Sequence, residues 1–229
     1  FRNLGPGSGG EFRYEIMPRD RVKNDNSRSA LLLNQRKTWG NGWNANVNIQ
    51  KASDDTYFTD LTTQIATISQ SILPRSGSVG KSGSWWKDGT WSANATVQRW
   101  QTLQTNPASP LIPPYNRSQF TFTASKLNAG YSDLSLYSSA DEFTHPSLPN
   151  GRRYLAYPSA TLPIQNSFAY VTPKVGMHLT HYDFDRITTN LPDQNRSVPI
   201  FSTESGVVFE RNASLYGQGM LQTFEPKLY

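Results

Sequence analysis

The sequence predicts an all-β protein, an antiparallel up-and-down transmembrane β-barrel, of which this chain forms a fragment of about ten strands with one short inserted helix. Three observations favour this fold class. Several segments alternate apolar and polar residues, which gives each strand one apolar and one polar face. Turn residues and longer polar connections separate these segments. Aromatic residues reach 12%, whereas charged residues are only 17%, below the roughly 25% of a typical soluble domain.

Composition excludes several other classes of protein. No apolar run approaches the ~20 residues of a membrane-spanning helix, and the mean hydropathy is −0.60. The formal charge of +5 is too small to predict a nucleic-acid partner. The chain has no cysteine, so it offers neither disulfides nor thiolate metal ligands. It begins at Phe1 without a methionine or signal peptide, from which we expect a fragment or a processed product.

A glycine-rich stretch near the start, GPGSGG from Gly5, matches G-x-G-x-x-G. A dinucleotide site would require a strand before these glycines and a helix after them. The residues that follow instead alternate through Phe12, Tyr14 and Ile16, which predicts a strand. We interpret the glycines as a flexible connection, and we predict no cofactor. The later stretch GSVGKS, residues 77–82, lacks both the first glycine and the helix of a phosphate-binding loop.

The clearest strands are WNANVNIQ, WSANATVQ and QFTFTAS. Their apolar faces carry tryptophan, alanine, valine, isoleucine and phenylalanine, whereas their other faces are rich in asparagine, glutamine, serine and threonine. In a membrane barrel the apolar face would contact lipid and the polar face would line a wet lumen. The lumen-facing residues predicted from the first two strands are Asn44, Asn46, Asn48, Gln50, Asn94, Thr96 and Gln98.

One stretch departs from this alternation and predicts the inserted helix. Its apolar residues recur three and four positions apart, at Phe58, Leu61, Ile65, Ile68 and Ile72. We predict a helix over roughly Tyr57–Ser71, capped by Asp54 or Asp55 and ended before Pro74, which docks on the barrel wall or a plug. Two short strands are the alternative.

Tryptophans cluster beside predicted turns, around Gly40–Gly42 and around Asp88 and Gly89. Tryptophan favours the interface between membrane and water, although aromatic residues are common in all strands. The polar faces carry few charges, and alanines stand among the apolar positions. These features favour a membrane barrel over a soluble β-sandwich, such as a secreted carbohydrate-binding module, which remains the alternative.

Candidate catalytic and metal-binding residues are sparse. In HLTHYDFD, His178 and His181 are three positions apart on a predicted strand, so they face opposite sides and cannot share a metal ion. The acid pairs at 54–55 and 141–142 have no nearby constellation of histidine and serine that would suggest catalysis. We therefore predict no enzyme. A hydrolase carried by a barrel, a third hypothesis, would need a serine and a histidine on one side near one rim.

Four stretches resemble the lipopolysaccharide-assembly protein family LptD, also called OstA or Imp. They are GGEFRYEIMPRDRV, VNIQKASDDTYFTDL, YLAYPSATLPI and SGVVFERNASLYGQGMLQTFEPKLY. The last stretch is the most specific, because it is similar to the family's phenylalanine-glutamate-arginine followed by glutamine-threonine-leucine-glutamate-proline-arginine. Phe224 and Lys227 replace the usual leucine and arginine.

The resemblance implies that residues 1–229 form part of a very large barrel in the outer membrane of Gram-negative cells. The family's periplasmic jelly-roll domain and its first and last barrel strands would lie outside this chain. The implied function is the non-enzymatic transport of lipopolysaccharide into the outer leaflet. The implied partners are lipopolysaccharide, the lipoprotein plug LptE, the periplasmic bridge LptA and outer-membrane lipid.

Charged residues complete the predicted site. Alternation near the end of the chain predicts that Glu210, Glu225 and Lys227 face the lumen, most simply as a lattice of ion pairs. Cations in loops and in the lumen are predicted to meet the phosphates of the passing lipid. These cations are Arg28, Arg36, Lys37, Arg152 and Arg153.

Overall fold

The computed structural model describes residues 2–3, 5–61, 71–106, 108 and 110–228. The described residues form fifteen strands, which pair antiparallel, together with short helical turns. The strands are β1 (Arg2–Asn3), β2 (Ser8–Asp20), β3 (Asn26–Thr38), β4 (Trp43–Ala52), β5 (Ile72–Trp85), β6 (Gly89–Thr102), β7 (Asn116–Ala129), β8 (Ser132–Thr144), β9 (Gly151–Thr161), β10 (Ile164–Gln165), β11 (Ala169–Phe184), β12 (Gln194–Val207), β13 (Phe209–Leu215), β14 (Gln218–Phe224) and β15 (Lys227–Leu228). The helical turns are a 3-10 turn at Arg21–Lys23 and α1 (Tyr57–Leu61). Among the described residues, no helix is long and apolar enough to cross a bilayer.

Thirteen of these strands form one sheet in the order β1 to β9, then β11, β12 and β15, with β10 beside β11. Each long strand pairs with the next long strand along the chain, so the sheet is an up-and-down meander. Ten of its strands have ten or more residues, which confirms the predicted antiparallel architecture. The remaining two, β13 and β14, form a separate hairpin.

Short and long connections lie at opposite ends of the sheet. The connections at 39–42, 86–88 and 130–131 are tight turns, as the sequence predicts. Gly42 and Gly130 have φ angles of +85° and +74°, which a glycine adopts without strain. The connections at 53–71, 103–115, 145–150 and 185–193 are longer and lie at the other end.

On β6 to β8 the two faces of the sheet differ in exposure, and the apolar face is the open one. Val97 is 49% exposed and Phe120 is 50% exposed, whereas Asp141 and Ser139 on the polar face are only 2% and 6% exposed. This distribution is the reverse of a soluble sheet, which covers its apolar face. Among the described residues, the strands contact mainly their neighbours in the same sheet, and no second layer packs on the apolar face. The arrangement therefore does not favour the β-sandwich.

A small apolar core lies at the end of the sheet with the long connections. It consists of Ala52, Tyr57, Leu73 and Leu103, which are all buried. Phe58 of α1 packs against this core. Tyr57 and Phe58 meet edge to face, with ring centroids 5.3 Å apart.

The predicted helix over Tyr57–Ser71 is confirmed for its first turn, and residues 62–70 lie outside the described residues. The end of the helix therefore stays a prediction, but Ile72, which the predicted apolar stripe includes, lies in β5 and pairs with Thr102, and Pro74 also lies inside β5. At the start, the backbone amide of Thr56 donates to Oδ1 of Asp54 at 3.1 Å. This contact agrees with the predicted capping by an aspartate.

Candidate functional site

The candidate site is a continuous row of polar residues across the polar face of seven strands, β3 to β9, exposed at Arg36 and Asn46 and buried at Asp141. Each residue is the direct cross-strand partner of the next, so all of them lie on the same face. This polar row consists of Arg36, Asn46, Ser78, Thr96, Gln119, Asp141 and Arg153. It offers hydrogen-bond donors and acceptors along its whole length, as a hydrated or sugar-bearing ligand requires.

Two further rows of the same face flank the polar row. One runs through Asn34, Asn48, Ser76, Gln98 and Arg117, and the other through Asn44, Gly80, Asn94, Thr121 and Ser139. The register therefore puts Asn44, Asn46, Asn48, Asn94, Thr96 and Gln98 on one face, together with Gln50. That this face lines a lumen stays a prediction.

Gly80 shows why a glycine interrupts one of these rows. A side chain at this position would meet the amide atoms of Asn44 at 3.0 Å and of Asn94 at 3.1 Å. Because Gly80 has no side chain, the amide groups of Asn44 and Asn94 on the two neighbouring strands both fit beside it. The gap keeps this part of the face polar and shallow.

Asp141 is the charged centre of the polar row, and its side chain is fully buried. It accepts hydrogen bonds from Arg117 at 2.9–3.0 Å and from Arg153 at 2.9–3.3 Å. Gln119 donates to it at 2.7 Å, and the hydroxyl of Ser139 donates at 3.0 Å. The buried carboxylate is thus paired and hydrogen-bonded on both oxygens, as a buried charge requires.

An aromatic ring completes this cluster. Phe143 lies next but one to Asp141 on the same strand and face. The guanidinium groups of Arg117 and Arg153 lie 5.8 Å and 5.5 Å from its ring centroid. Cation–π attraction holds both arginines in the positions from which they reach the carboxylate.

A second charged cluster, the Arg28 clamp, ties the β4–β5 connection to the wall. The buried guanidinium of Arg28 donates to Asp20 at 3.0 Å, to Asp54 at 2.7 Å and to Asp60 at 3.1 Å. Lys23 also pairs with Asp60, at 3.4 Å. Because these carboxylates come from β2, the connection and α1, the clamp fastens three segments together.

The Arg28 clamp shifts the pKa values of carboxyl groups in the β4–β5 connection. Burial raises the pKa of the Asp54 carboxyl, but hydrogen bonds from Arg28 and Ser53 outweigh this effect and hold the pKa below its ordinary value. A hydrogen bond from Thr56 lowers the pKa of Asp60, with Lys23 and Arg28 acting in the same direction. Both carboxylates are therefore stabilised in their charged form.

The five predicted phosphate-meeting cations do not come together. Arg36 and Arg153 lie on the polar row, and Arg28 lies in its clamp. Lys37 pairs with Ala45 and Arg152 pairs with Glu142, which places both on the opposite, apolar face. Sequence reasoning placed Gln119 on the polar face of QFTFTAS but missed Arg117, although its alternation with Ser118 carried the signal.

The predicted charged residues near the chain end occupy different elements. Glu210 pairs with Thr223 inside the separate β13–β14 hairpin, whereas Glu225 lies in the connection after β14. Lys227 lies on β15, opposite Gly206 of β12. Their predicted lumen-facing position remains a prediction.

The histidines hold structure rather than form a reactive pair. His178 and His181 lie on opposite faces, and the described residues contain no metal-binding group of three histidine or acidic side chains. Nδ1 of His145 accepts backbone hydrogen bonds from Ser147 and Leu148, each at 3.0 Å. Its Nε2 lies 2.8 Å from the carbonyl oxygen of Pro113. Both nitrogens are engaged, so Ser147, 3.4 Å away, lacks a free base.

Comparisons with known proteins identify the family. The family model LptD, described as LPS transport system D, matches residues 26–229. Over its whole length the chain is 38% identical to the LPS-assembly protein LptD of Nitrosomonas eutropha, covering 32% of that protein. It is 40% identical to the protein of the same name from an Azoarcus species, covering 28% of it, and 36% identical to that of Nitrosomonas europaea, covering 32% of it.

The chain thus spans about a third or less of the relatives that it matches, and the family model covers most of its residues. The motifs singled out in the sequence, the all-β meander and these comparisons agree. The chain belongs to the LptD family of LPS transport proteins.

Proposed function

We propose that this chain forms part of the wall of a transmembrane β-barrel that delivers lipopolysaccharide to the outer leaflet of the outer membrane. The sugar portion passes along the polar row, inside the barrel. The acyl chains leave sideways through a seam between the first and last strands of the barrel, outside this chain. No covalent bond is made or broken in this process, so the role is transport and not catalysis.

One observation carries the proposal: on β6 to β8 the sheltered face is polar, and the more exposed face is apolar. Val97 and Phe120 are about half exposed, whereas the neighbouring Asp141 is buried on the other side. A sheet with this distribution is stable where hydrocarbon covers the open face and water fills the sheltered side. The relatives, named LPS-assembly proteins, support the same substrate.

The chemistry of the polar row suits a hydrated glycan. Its middle positions, Asn46, Ser78 and Thr96, are neutral and carry both donors and acceptors. A sugar can exchange its hydrogen bonds with water for hydrogen bonds with these side chains. It meets no fixed charge there that would retain it. Arg36, at one end of the row, is the cation best placed to meet a phosphate, because Arg153 already pairs with Asp141.

The orientation of the chain in the membrane follows from the lengths of its connections. In outer-membrane barrels the short turns face the periplasm and the long loops face the cell exterior. We therefore place the Arg28 clamp and the Asp141 cluster near the outer surface. The lipoprotein plug LptE and the periplasmic bridge LptA are the partners proposed for the complete protein.

The test adds negative charge to the polar row and keeps the row polar. Replacing Asn46→Glu and Thr96→Glu together in the full-length protein adds carboxylates that repel lipopolysaccharide phosphates, so newly made lipopolysaccharide should reach the cell surface more slowly. The matched control, Asn46→Gln with Thr96→Asn, should support normal delivery. Equal delivery by both variants at equal barrel levels would refute the proposed route.

A further inference from the structure

The apolar face carries a group of cations that no part of the proposed transport route uses. A cross-strand row of this face begins with apolar residues and ends with two arginines: Phe12, Leu33, Ile49, Arg75 and Arg99. Lys51 lies on the same face of β4, two residues beyond Ile49. We call Lys51, Arg75 and Arg99 the basic patch; it lies near the end of the sheet with the long connections.

The charges of the basic patch are not balanced within the described residues. Arg75 and Arg99 are directly opposite each other on β5 and β6, and like charges in this position destabilise a sheet. None of the ion pairs formed among the described residues involves a member of the patch. The residues outside the described ranges include no aspartate or glutamate.

The arginines make hydrogen bonds to neutral groups only. Nη2 of Arg75 donates to Oε1 of Gln101 at 3.1 Å, and Nη2 of Arg99 lies 3.4 Å from the hydroxyl of Ser118. Nε of Arg75 is buried and has no hydrogen-bond partner among the described residues. A buried donor without an acceptor is costly, so the site is chemically incomplete.

A shallow groove of about 660 Å³ lies directly beside the patch, towards the short turns. The next residues on this face after the arginines are Gly77 and Val97, about 7 Å further along the strands. Gly77 leaves open space above the sheet, because a side chain there would meet no atom within 4 Å. Val79 and Phe120 flank the groove with half-exposed apolar side chains. Its apolar lining suits an acyl chain.

We propose that an anionic membrane lipid docks on this outer surface, with its phosphate on Arg75 and Arg99 and an acyl chain in the groove. The phosphate neutralises the opposed guanidinium charges, and Lys51 adds a third cation beside it. The inference rests on the proposed contact between the apolar face and lipid. It is separate from the transport route, because the site lies on the face opposite the polar row.

Arg152 lies at the far rim of the groove, paired with Glu142 at 3.4 Å. Because this carboxylate already has a cationic partner, it adds no net negative charge beside the lipid. The surface around the phosphate therefore keeps a net positive charge. This complementarity selects an anionic over a zwitterionic headgroup.

The experiment uses the full-length protein in a neutral detergent and measures bound phosphatidylglycerol by native mass spectrometry. Replacing Arg75→Gln together with Arg99→Gln should weaken binding about tenfold or more, because both charge-assisted contacts are lost. The control is Lys81→Gln, which removes a cation from the same strand and face, where Lys81 lies over the Trp43 ring at the other end of the sheet. It should bind as the unmodified protein does.

Two measurements on the unmodified protein test the same idea without a variant. Phosphatidylglycerol should bind more tightly than phosphatidylcholine of the same chain length, and its binding should weaken as salt rises from about 50 to about 500 mM. Inorganic phosphate alone should bind far more weakly than the lipid, because the groove contributes only when an acyl chain is present.

Equal binding by the double variant and the Lys81→Gln control would overturn the lipid site, as would equal binding of the two lipids. Tight binding of inorganic phosphate would show a simple anion site and overturn the role of the groove. These outcomes leave the delivery assay with glutamates on the polar row unaffected. Failure of the lipid site is therefore distinguishable from failure of the transport proposal.

Discussion

Neutralising Asp141 is the perturbation that most clearly tests the sheltered, polar side of the sheet. Asp141→Asn keeps the shape of the side chain but removes its charge. Arg117 and Arg153 then lose the carboxylate that both of them bind at 2.9 Å. The row would still be polar, so the change probes the ion pairs rather than the general character of the face.

The size of the expected loss of stability follows from the burial of the Asp141, Arg117 and Arg153 side chains. Breaking a fully buried ion pair costs about 3–5 kcal/mol. The Asp141 side chain is completely buried, but those of Arg117 and Arg153 are 35% and 31% exposed, so water partly solvates the two released cations. We therefore expect the free energy of unfolding to fall by about 2–4 kcal/mol.

The adjacent residue supplies a matched control. Glu142 lies on the opposite face, is 47% exposed and forms an ion pair with Arg152 at 3.4 Å. Glu142→Gln should leave stability unchanged within the error of the measurement, because exposed pairs contribute little.

The assay is urea unfolding of the full-length protein in detergent micelles, followed by tryptophan fluorescence. An Asp141→Asn variant as stable as the unmodified protein would refute the buried-pair reasoning. A Glu142→Gln variant that loses as much stability as Asp141→Asn would refute the assignment of the two faces.

The remaining predictions concern the Arg28 clamp and one turn. Arg28→Met leaves Asp20 and Asp54 without their ion pair and Asp60 with Lys23 as its cationic partner, so amide hydrogen exchange in α1 should accelerate by about tenfold or more; unchanged exchange would exclude the clamp. Because the pKa values of Asp54 and Asp60 are held below 3.8, their stabilising effect is complete above that pH and lost as the pH falls through the lowered values. Protection of α1 should thus persist down to about pH 4, and its loss near about pH 6 would contradict this account. Gly42→Ala should cost about 1–3 kcal/mol in urea unfolding, because φ is +85° and the new methyl group meets a carbonyl oxygen of β5. Gly40→Ala, in open space, is the control, and an equal loss there would refute the steric cause.

The strands and turns were predictable because their signals are local. The alternation in WNANVNIQ indicated β4, and the neighbouring Gly42 indicated the turn before it. A strand has a period of two whatever its partners are, so the sequence alone reveals its faces. The same alternation identified most of the polar face before its neighbours were known.

The strand conformation of Ile72 was not predictable in this way. Ile72 continues the spacing of three and four residues that begins at Phe58, and nothing nearby in the sequence breaks it. Its strand conformation depends on pairing with Thr102, thirty residues later. Tertiary pairing here overrides the local period.

The sequence alone did not reveal Asp141 as the centre of the candidate site, for a related reason. Asp141 and Glu142 are adjacent acids, and the sequence does not show which of them is sheltered. The answer depends on the register that brings Gln119 and Arg153 beside Asp141. Cross-strand register is set by contacts between distant segments, which a single sequence does not display.

The most direct test of the central claim compares two adjacent residues of β6. Thr96 lies on the sheltered polar face, and Val97 lies on the exposed apolar face. A nitroxide label attached in turn at Thr96→Cys and Val97→Cys of the full-length protein in lipid vesicles reports collisions with oxygen, which concentrates in lipid, and with a water-soluble nickel chelate. We predict that oxygen dominates at position 97 and the nickel chelate at position 96. Nickel dominance at position 97, or equal behaviour at both positions, would contradict the account.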